Sequence, residues 1–290
     1  MSAGASTTTI ATPEGRFTAD VAGASWAPLA LLLHGFPQSR HSWREQVPAL
    51  GASGYRAIAP DQRGYSPGVR PDPAAGLEAY SVDRLVADVL DLAAAEGHGT
   101  RPFHLVGHDW GGHVAWATAH RHPHRLASLT VLSRPHPAAF RRAFRENADE
   151  QQHRSRHHKA FHDPKTADAL LENDGQRFKR NLAGNGVSEA AIVDYYSVLG
   201  TRPALESALA WYRAAGALTG TEVGPITVPT LYIWGDADST VGPSAARWTA
   251  EHVTGPYRFE VLPGVGHFAT DQAPAAVTRL LREHLAATRG

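Results

Sequence analysis

Six short apolar runs, each stopped by Gly, Pro or a polar residue, constrain this chain more than any other feature. They read LALLLHGF (29–36), YRAIAP (55–60), FHLVGH (103–108), SLTVLS (128–133), TLYIWG (230–235) and YRFEVL (257–262). Short continuous apolar runs of this kind predict strands buried on both faces of a mostly parallel sheet. Helical patterns lie between them. SVDRLVADVLDLAAAEG starts at a capping Ser81 and stops at Gly97, WGGHVAWATAHRHP follows the third run, and APAAVTRLLREHLAAT closes the chain. Alternation of the two patterns predicts an α/β doubly wound fold. The opening TTTIATPEGRFTADVAG predicts an antiparallel hairpin at one edge of the sheet.

The rhythm breaks once. From Pro135 to Gly220 no strand pattern occurs, and the segment is rich in charge and helix formers. A strandless insertion of that length is too long for a loop. It predicts a helical lid over 135–220, set between core segments 1–134 and 221–290.

Composition removes several classes of function. With 290 residues, 42% of them hydrophobic, the chain can bury a sizeable core. A formal net charge of zero gives no basic stripe for nucleic acid or an anionic membrane. No apolar stretch reaches the ~20 residues of a membrane span. The start MSAGASTTTI shows no basic segment followed by an apolar one, so a cytoplasmic enzyme is expected. Absence of cysteine excludes disulfides and thiolate chemistry. There is no glycine-rich dinucleotide fingerprint, and no cofactor is expected. His153 and His157 are four apart, hence on one face of a single helix, a spacing that can bind zinc. The glutamate that usually accompanies such a pair is missing, and no metal site is expected.

LVGHDWGG (105–112) is the segment that carries chemistry. It has the frame of the Gly-x-Ser-x-Gly nucleophile elbow, with Asp109 in the serine's place, and it joins a strand to a helix as that motif requires. Gly107 and Gly111 permit the tight turn. The competing reading is that Asp109 is only a helix cap. Two further strand ends carry partners. WGDADS supplies Asp238, with Asp236 ranked second, and GVGHF supplies His267, so nucleophile, acid and base follow in that order. In folds built on such an elbow, the loop after an earlier strand and the residue after the nucleophile supply two oxyanion amides. Here these are the backbone N–H groups of Phe36, in HGFP, and Trp110. Phe36, Trp110, Trp211 and Phe268 are candidate pocket residues.

Aspartate changes the reaction. A serine attacking saturated carbon would form an ether that water cannot cleave. A carboxylate forms an alkyl ester instead, and a histidine-activated water can attack its carbonyl. The substrate therefore carries a leaving group on saturated carbon, with epoxides and alkyl halides the leading choices. An epoxide leaves as an alkoxide and needs a proton donor opposite the nucleophile.

Over nearly its whole length the chain resembles the epoxide hydrolases of the α/β-hydrolase fold. The resemblance is carried by HGFPQS, DQRGYSP, GHDWGG, RPHPAAFRRA, LAWYRAA, WGDADS and GVGHF. It implies that the substrate is a small-molecule epoxide converted to a vicinal diol, that the enzyme is a monomer or homodimer, and that lid tyrosines polarise the epoxide oxygen. Tyr212 matches one of them. The other belongs to a Tyr-Gln-x-Tyr-Phe-Gln-x-Pro pattern, and alignment on Phe161 and Pro164 puts His157 in its place. Some members of the family pair a histidine with a tyrosine, and an imidazole can donate to the oxygen. Tyr195 and Tyr196 are possible substitutes, with lid packing the competing role. Haloalkane dehalogenases share GHDWGG and a tryptophan after the nucleophile, yet Phe36 stands where many carry asparagine. The chain is also similar to fluoroacetate dehalogenases, and this fold serves in addition as a non-catalytic ligand receptor.

Overall fold

The computed structural model describes residues 4–217 and 222–288. The strands are β1 (Ser6–Thr12), β2 (Gly15–Ala22), β3 (Leu29–Leu33), β4 (Arg56–Pro60), β5 (Phe103–His108), β6 (Leu126–Leu132), β7 (Thr230–Gly235) and β8 (Tyr257–Leu262). They form one sheet in the order β1-β2-β4-β3-β5-β6-β7-β8. β1 and β2 make the antiparallel edge hairpin, and β3 through β8 run parallel.

The helices are α1 (Gln46–Ala52), α2 (Val82–Ala93), α3 (Trp110–Arg121), α4 (Pro137–Glu146), α5 (Gln151–Arg154), α6 (Arg156–Phe161), α7 (Thr166–Ala183), α8 (Glu189–Leu199), α9 (Arg202–Ala217), α10 (Pro243–Trp248), α11 (Ala269–Gln272) and α12 (Pro274–Ala287). Ser81 caps α2 by accepting the Arg84 amide. No described helix is long and apolar enough to cross a membrane.

The continuous apolar runs are explained by two-sided burial. All five residues of β3 are buried, and alternate ones face opposite layers. Leu29, Leu31 and Leu33 join the layer that holds Leu85, Val89 and Val114 of α2 and α3. Ala30 and Leu32 join the layer that holds Val47 and Leu50 of α1 and Leu280 and Leu281 of α12. Burying one such leucine contributes about 1.5–3 kcal/mol, so a polar residue in either register would cost one layer directly.

Helices α4 to α9 lie between β6 and β7, and their apolar residues, among them Phe178, Tyr195 and Leu209, join the same cluster as Phe36 and Trp110 of the core. The boundary placed at Gly220 falls outside the described residues. α7 is interrupted at Glu172–Gly175, where Asn173, Asp174 and Gly175 take φ of 52°, 54° and 69°. These residue types tolerate the left-handed conformation best, and the interruption turns the helix beside the site. Ser155 separates α5 from α6. His153 and His157 are therefore on different helices, which corrects the expectation of one shared face. Among the described residues no group of three or more His, Asp or Glu is arranged to hold a metal ion.

The chain builds β4 on one side of β3 and then crosses to place β5 on the other. That reversal opens a crevice beyond the carboxyl ends of β3 and β5, the position at which open α/β sheets bind ligands. Leu33 is in register with Gly107, so the HGFP loop and the elbow leave the sheet side by side.

Candidate active site

Asp109 follows β5 with φ 49° and ψ −114°, a conformation held against its intrinsic cost. Its side chain makes no capping bond to α3, which disposes of the simple-cap reading. Close approach sets the local glycines. A Cβ on Gly107 would collide with the Gly111 carbonyl, and one on Gly35 would collide with the side chain of Asp109. Gly35 thus lets the β3 loop approach the carboxylate. The Phe36 amide donates to Asp109 Oδ1 at 3.1 Å. The loop is fixed from behind, where Gln62 donates through its amide N–H to His34 Nε2 at 3.2 Å and through its side chain to the His34 carbonyl at 2.7 Å. The Phe36–Pro37 bond is cis.

Three strand ends converge on this carboxylate. His267 Nε2 stands 3.6 Å from Asp109 Oδ2, and His267 Nδ1 donates to Asp238 Oδ2 at 3.0 Å. Asp238 also accepts the amides of Thr240 at 2.7 Å and Val241 at 3.0 Å. Its side chain is fully buried. Asp236 is exposed and accepts the Gly264 amide in a surface turn. The structure therefore brings Asp238, not Asp236, to the histidine.

The charges of the set are coupled. Burial pushes the Asp109 carboxyl up, but the hydrogen bond and charge of His267, aided by His108 and Arg134, hold it well below the ordinary carboxylate range. Burial pushes His267 down, and the charges and hydrogen bonds of Asp238 and Asp109 overcome it and raise the imidazole above its ordinary value. Each partner thus favours the charged form of the other.

Sequence reasoning missed what holds His267 from behind. The His267 carbonyl accepts His108 Nε2–H at 2.8 Å and Ser133 Oγ–H at 3.0 Å. Burial keeps His108 neutral at ordinary pH, its pKa lowered to about 4. The only local signal was that His108 belongs to the elbow motif and Ser133 ends a strand run. Arg134 was also missed. Its guanidinium lies 4.6 Å from the Phe140 ring centroid and 5.9 Å from that of Trp110.

A cavity of about 320 Å³ opens on the set, lined by Phe36, Asp109, His267 and Phe268 from the core and by His157, Phe161 and Tyr212 from the helical segment. The Tyr212 ring packs edge-on against Phe36, Trp110, His158 and Phe161 with centroids 4.8–5.6 Å apart. Burial and then the Asp109 charge push its phenol well above 10, so it stays protonated at any working pH. Burial lowers His157, against the opposing charge of Asp109, and so favours its neutral form. His158, absent from sequence expectations, backs Tyr212 and is pushed down to about 3, first by burial.

Two candidate pocket residues do not line the cavity. The Trp211 indole N–H donates to the Arg63 carbonyl at 3.0 Å, and its ring is packed against Tyr65 and Trp110. Trp110 in turn is covered by Tyr212, so both tryptophans support the wall from behind. Tyr195 is fully buried and donates to Asp271 at 2.8 Å, and Tyr196 packs on Phe178. Both hold the helices together and neither reaches the cavity lining.

Known proteins share the fold and much of the sequence. The family described as alpha/beta hydrolase fold matches residues 28–274. "Epoxide hydrolase A" of Mycobacterium tuberculosis is 33% identical, over 91% of this chain and 92% of that protein. "Epoxide hydrolase 3" of Xenopus tropicalis is 32% identical, over 93% of this chain and 74% of that protein. Among solved structures, a Bacillus megaterium epoxide hydrolase with an inhibitor superimposes with TM-score 0.84 at 26% identity, covering 96% of this chain and all of that one. An epoxide hydrolase from hot-environment metagenomes superimposes with TM-score 0.82 at 28% identity, covering 97% of this chain and 98% of that one.

Proposed function

This chain belongs to the epoxide hydrolases of the α/β-hydrolase fold, and on that premise we propose that it opens its substrate through a covalent ester on Asp109. The observation that carries the proposal is a buried carboxylate in an elbow, with Oδ1 on the Phe36 amide and Oδ2 facing His267. Helices α4 to α9 act as the lid.

In the first step Asp109 Oδ2 attacks an epoxide carbon from the core side. The carbon–oxygen bond breaks, and the alkoxide takes the hydroxyl proton of Tyr212 from the lid side. His157, lining the same cavity, donates a hydrogen bond through its ring N–H. As a neutral imidazole it is the weaker acid, so it orients the oxygen and Tyr212 supplies the proton. A β-hydroxyalkyl ester of Asp109 results.

The ester itself prepares the second step. Two of the causes that raise His267 are the charge and the hydrogen bond of Asp109, and alkylation removes that charge. Burial then draws the imidazole down; its proton returns through the cavity to the Tyr212 phenolate, and His267 becomes a base held by Asp238. A water deprotonated at His267 Nε2 adds to the Asp109 carbonyl carbon. The oxyanion forms on Oδ1, where the Phe36 amide, with that of Trp110, stabilises it. The Cγ–Oδ2 bond then breaks as His267 gives its proton to the departing oxygen, the diol leaves with the former Oδ2 as its second hydroxyl oxygen, and the new Asp109 carboxyl passes its proton to His267.

Incubation with styrene oxide, aliphatic epoxides and bulkier epoxides, scored for diol, tests the function. Diol from at least one is the expected result. Halide release from haloalkanes or haloacetates, with no diol from any epoxide, would replace the reading with a dehalogenase. Replacing Tyr212 by Phe removes the proton donor and keeps the packing. The expected loss in kcat is on the order of 10²–10⁴-fold, falling on alkylation and not on ester hydrolysis. His157→Phe is expected to cost less than Tyr212→Phe, and the reverse order in rapid-mixing measurements would assign the proton to His157.

A further inference from the structure

The cavity holds more positive charge than its chemistry uses. Arg154 and Arg156 both line it, in company with Asp109 and His267. Asp109 and His267 form a pair whose charges offset each other. Neither arginine has a carboxylate within 4.0 Å among the described residues.

Arg154 is not a free surface arm. It is half-buried at the end of α5, with Nε donating to the Asp149 carbonyl at 2.8 Å and Nη1 donating to the Asp238 carbonyl at 2.8 Å. Two neutral main-chain acceptors fix the guanidinium without neutralising it. Nη2 carries no protein partner among the described residues. A half-buried cation held in place and left unpaired on a cavity wall is costly unless something else supplies the anion. The nearby acid, Asp149, is engaged elsewhere, accepting the Ser244 amide at 2.7 Å. Neighbouring lining groups Asn181, Asn185, Ser239 and Thr240 are neutral and polar, whereas Phe36, Phe268, Phe161 and Tyr212 surround the reactive end.

We propose that the substrate is an epoxide bearing a carboxylate, which the Arg154 guanidinium receives while the oxirane lies between Asp109 and Tyr212. This rests on the epoxide hydrolase reading above and names its substrate class. An arginine whose remaining edge is already oriented matches the two oxygens of a carboxylate, and it surrenders little side-chain entropy on binding. Arg156, exposed and tied among the described residues only to the His153 carbonyl at 3.0 Å, adds long-range attraction at the rim.

The test compares an epoxy acid with its methyl ester, alike in chain length and ring position, on the full-length enzyme at neutral pH. The acid is expected to exceed the ester in kcat/KM by on the order of 10–100-fold, the range of a charge-assisted pair, with the gain in KM. That advantage should shrink as sodium chloride is raised. Arg154→Gln should collapse the acid-to-ester ratio toward one. A purely structural role, holding the Asp238 loop, would instead lower both substrates alike and keep the ratio, which would overturn the proposal. Arg156→Glu, on a side chain with a single exposed bond, is expected to lower the same ratio independently. Equal turnover of acid and ester by the unaltered enzyme overturns the inference while leaving the hydrolase reading intact. Absence of diol from acid, ester and the neutral epoxides together would overturn both.

Discussion

His267→Gln is expected to trap the reaction halfway. Glutamine can keep a hydrogen bond to Asp238 but cannot take a proton from water, so alkylation proceeds and ester hydrolysis stops. Intact-protein mass spectrometry should show a gain equal to the mass of the epoxide, on one site, mapped to Asp109. Steady-state turnover should fall on the order of 10³-fold or more, the scale of losing the base of a triad. The pH dependence separates the steps further. In the resting enzyme His267 is raised by Asp238 and Asp109, and it is protonated through the neutral range. In the ester the Asp109 charge is gone, and the inflection of the hydrolysis rate should lie at lower pH than the titration of His267 in the free enzyme. The hydrolysis rate should rise with pH through that inflection. Asp109 is held far below the ordinary carboxylate range, so alkylation should show no loss of its nucleophile between pH 5 and pH 8. A common pKa for both steps would contradict the proposed switching of the base.

Asp109→Asn is expected to abolish turnover, by on the order of 10⁴-fold or more. The amide is nearly the same size, and the Phe36 amide can still donate to its oxygen, so folding should survive. What is lost is the anion that attacks saturated carbon. The check is diol formation by freshly purified protein, alongside a thermal melt that matches the parent. A slow return of activity on standing would mark deamidation back to aspartate, and no mass adduct should form before it. Undiminished diol formation by the asparagine variant would mean that water opens the ring directly.

Local sequence carried the three residues that the fold brings together, and left their surroundings unread. The Asp109 elbow was legible because strand, glycines and helix are contiguous. Asp238 and His267 were legible because each follows a strand run, and the strand order brings those ends together. The choice between Asp238 and Asp236 depended on which carboxylate the loop buries, and the amides of Thr240 and Val241 decide it. Trp211 is a candidate pocket residue by sequence, yet it lies outside the cavity lining. Its indole is claimed by the Arg63 carbonyl, a partner 148 positions away that no local pattern reveals. The cavity wall was least legible. Its helical lining comes from both sides of two interruptions, at Ser155 between α5 and α6 and at Asn173, Asp174 and Gly175 within α7. Arg154 is one charge among many in a segment rich in charge and helix formers, and only its bonds to the Asp149 and Asp238 carbonyls distinguish it.

The covalent ester on Asp109 is tested most directly by a single turnover in water enriched in heavy oxygen, with enzyme in excess over epoxide. The account predicts that the diol from this first turnover carries no label and that one heavy oxygen appears in the Asp109 carboxylate, found by peptide mass spectrometry. Label in the diol at once, with none in Asp109, would contradict it.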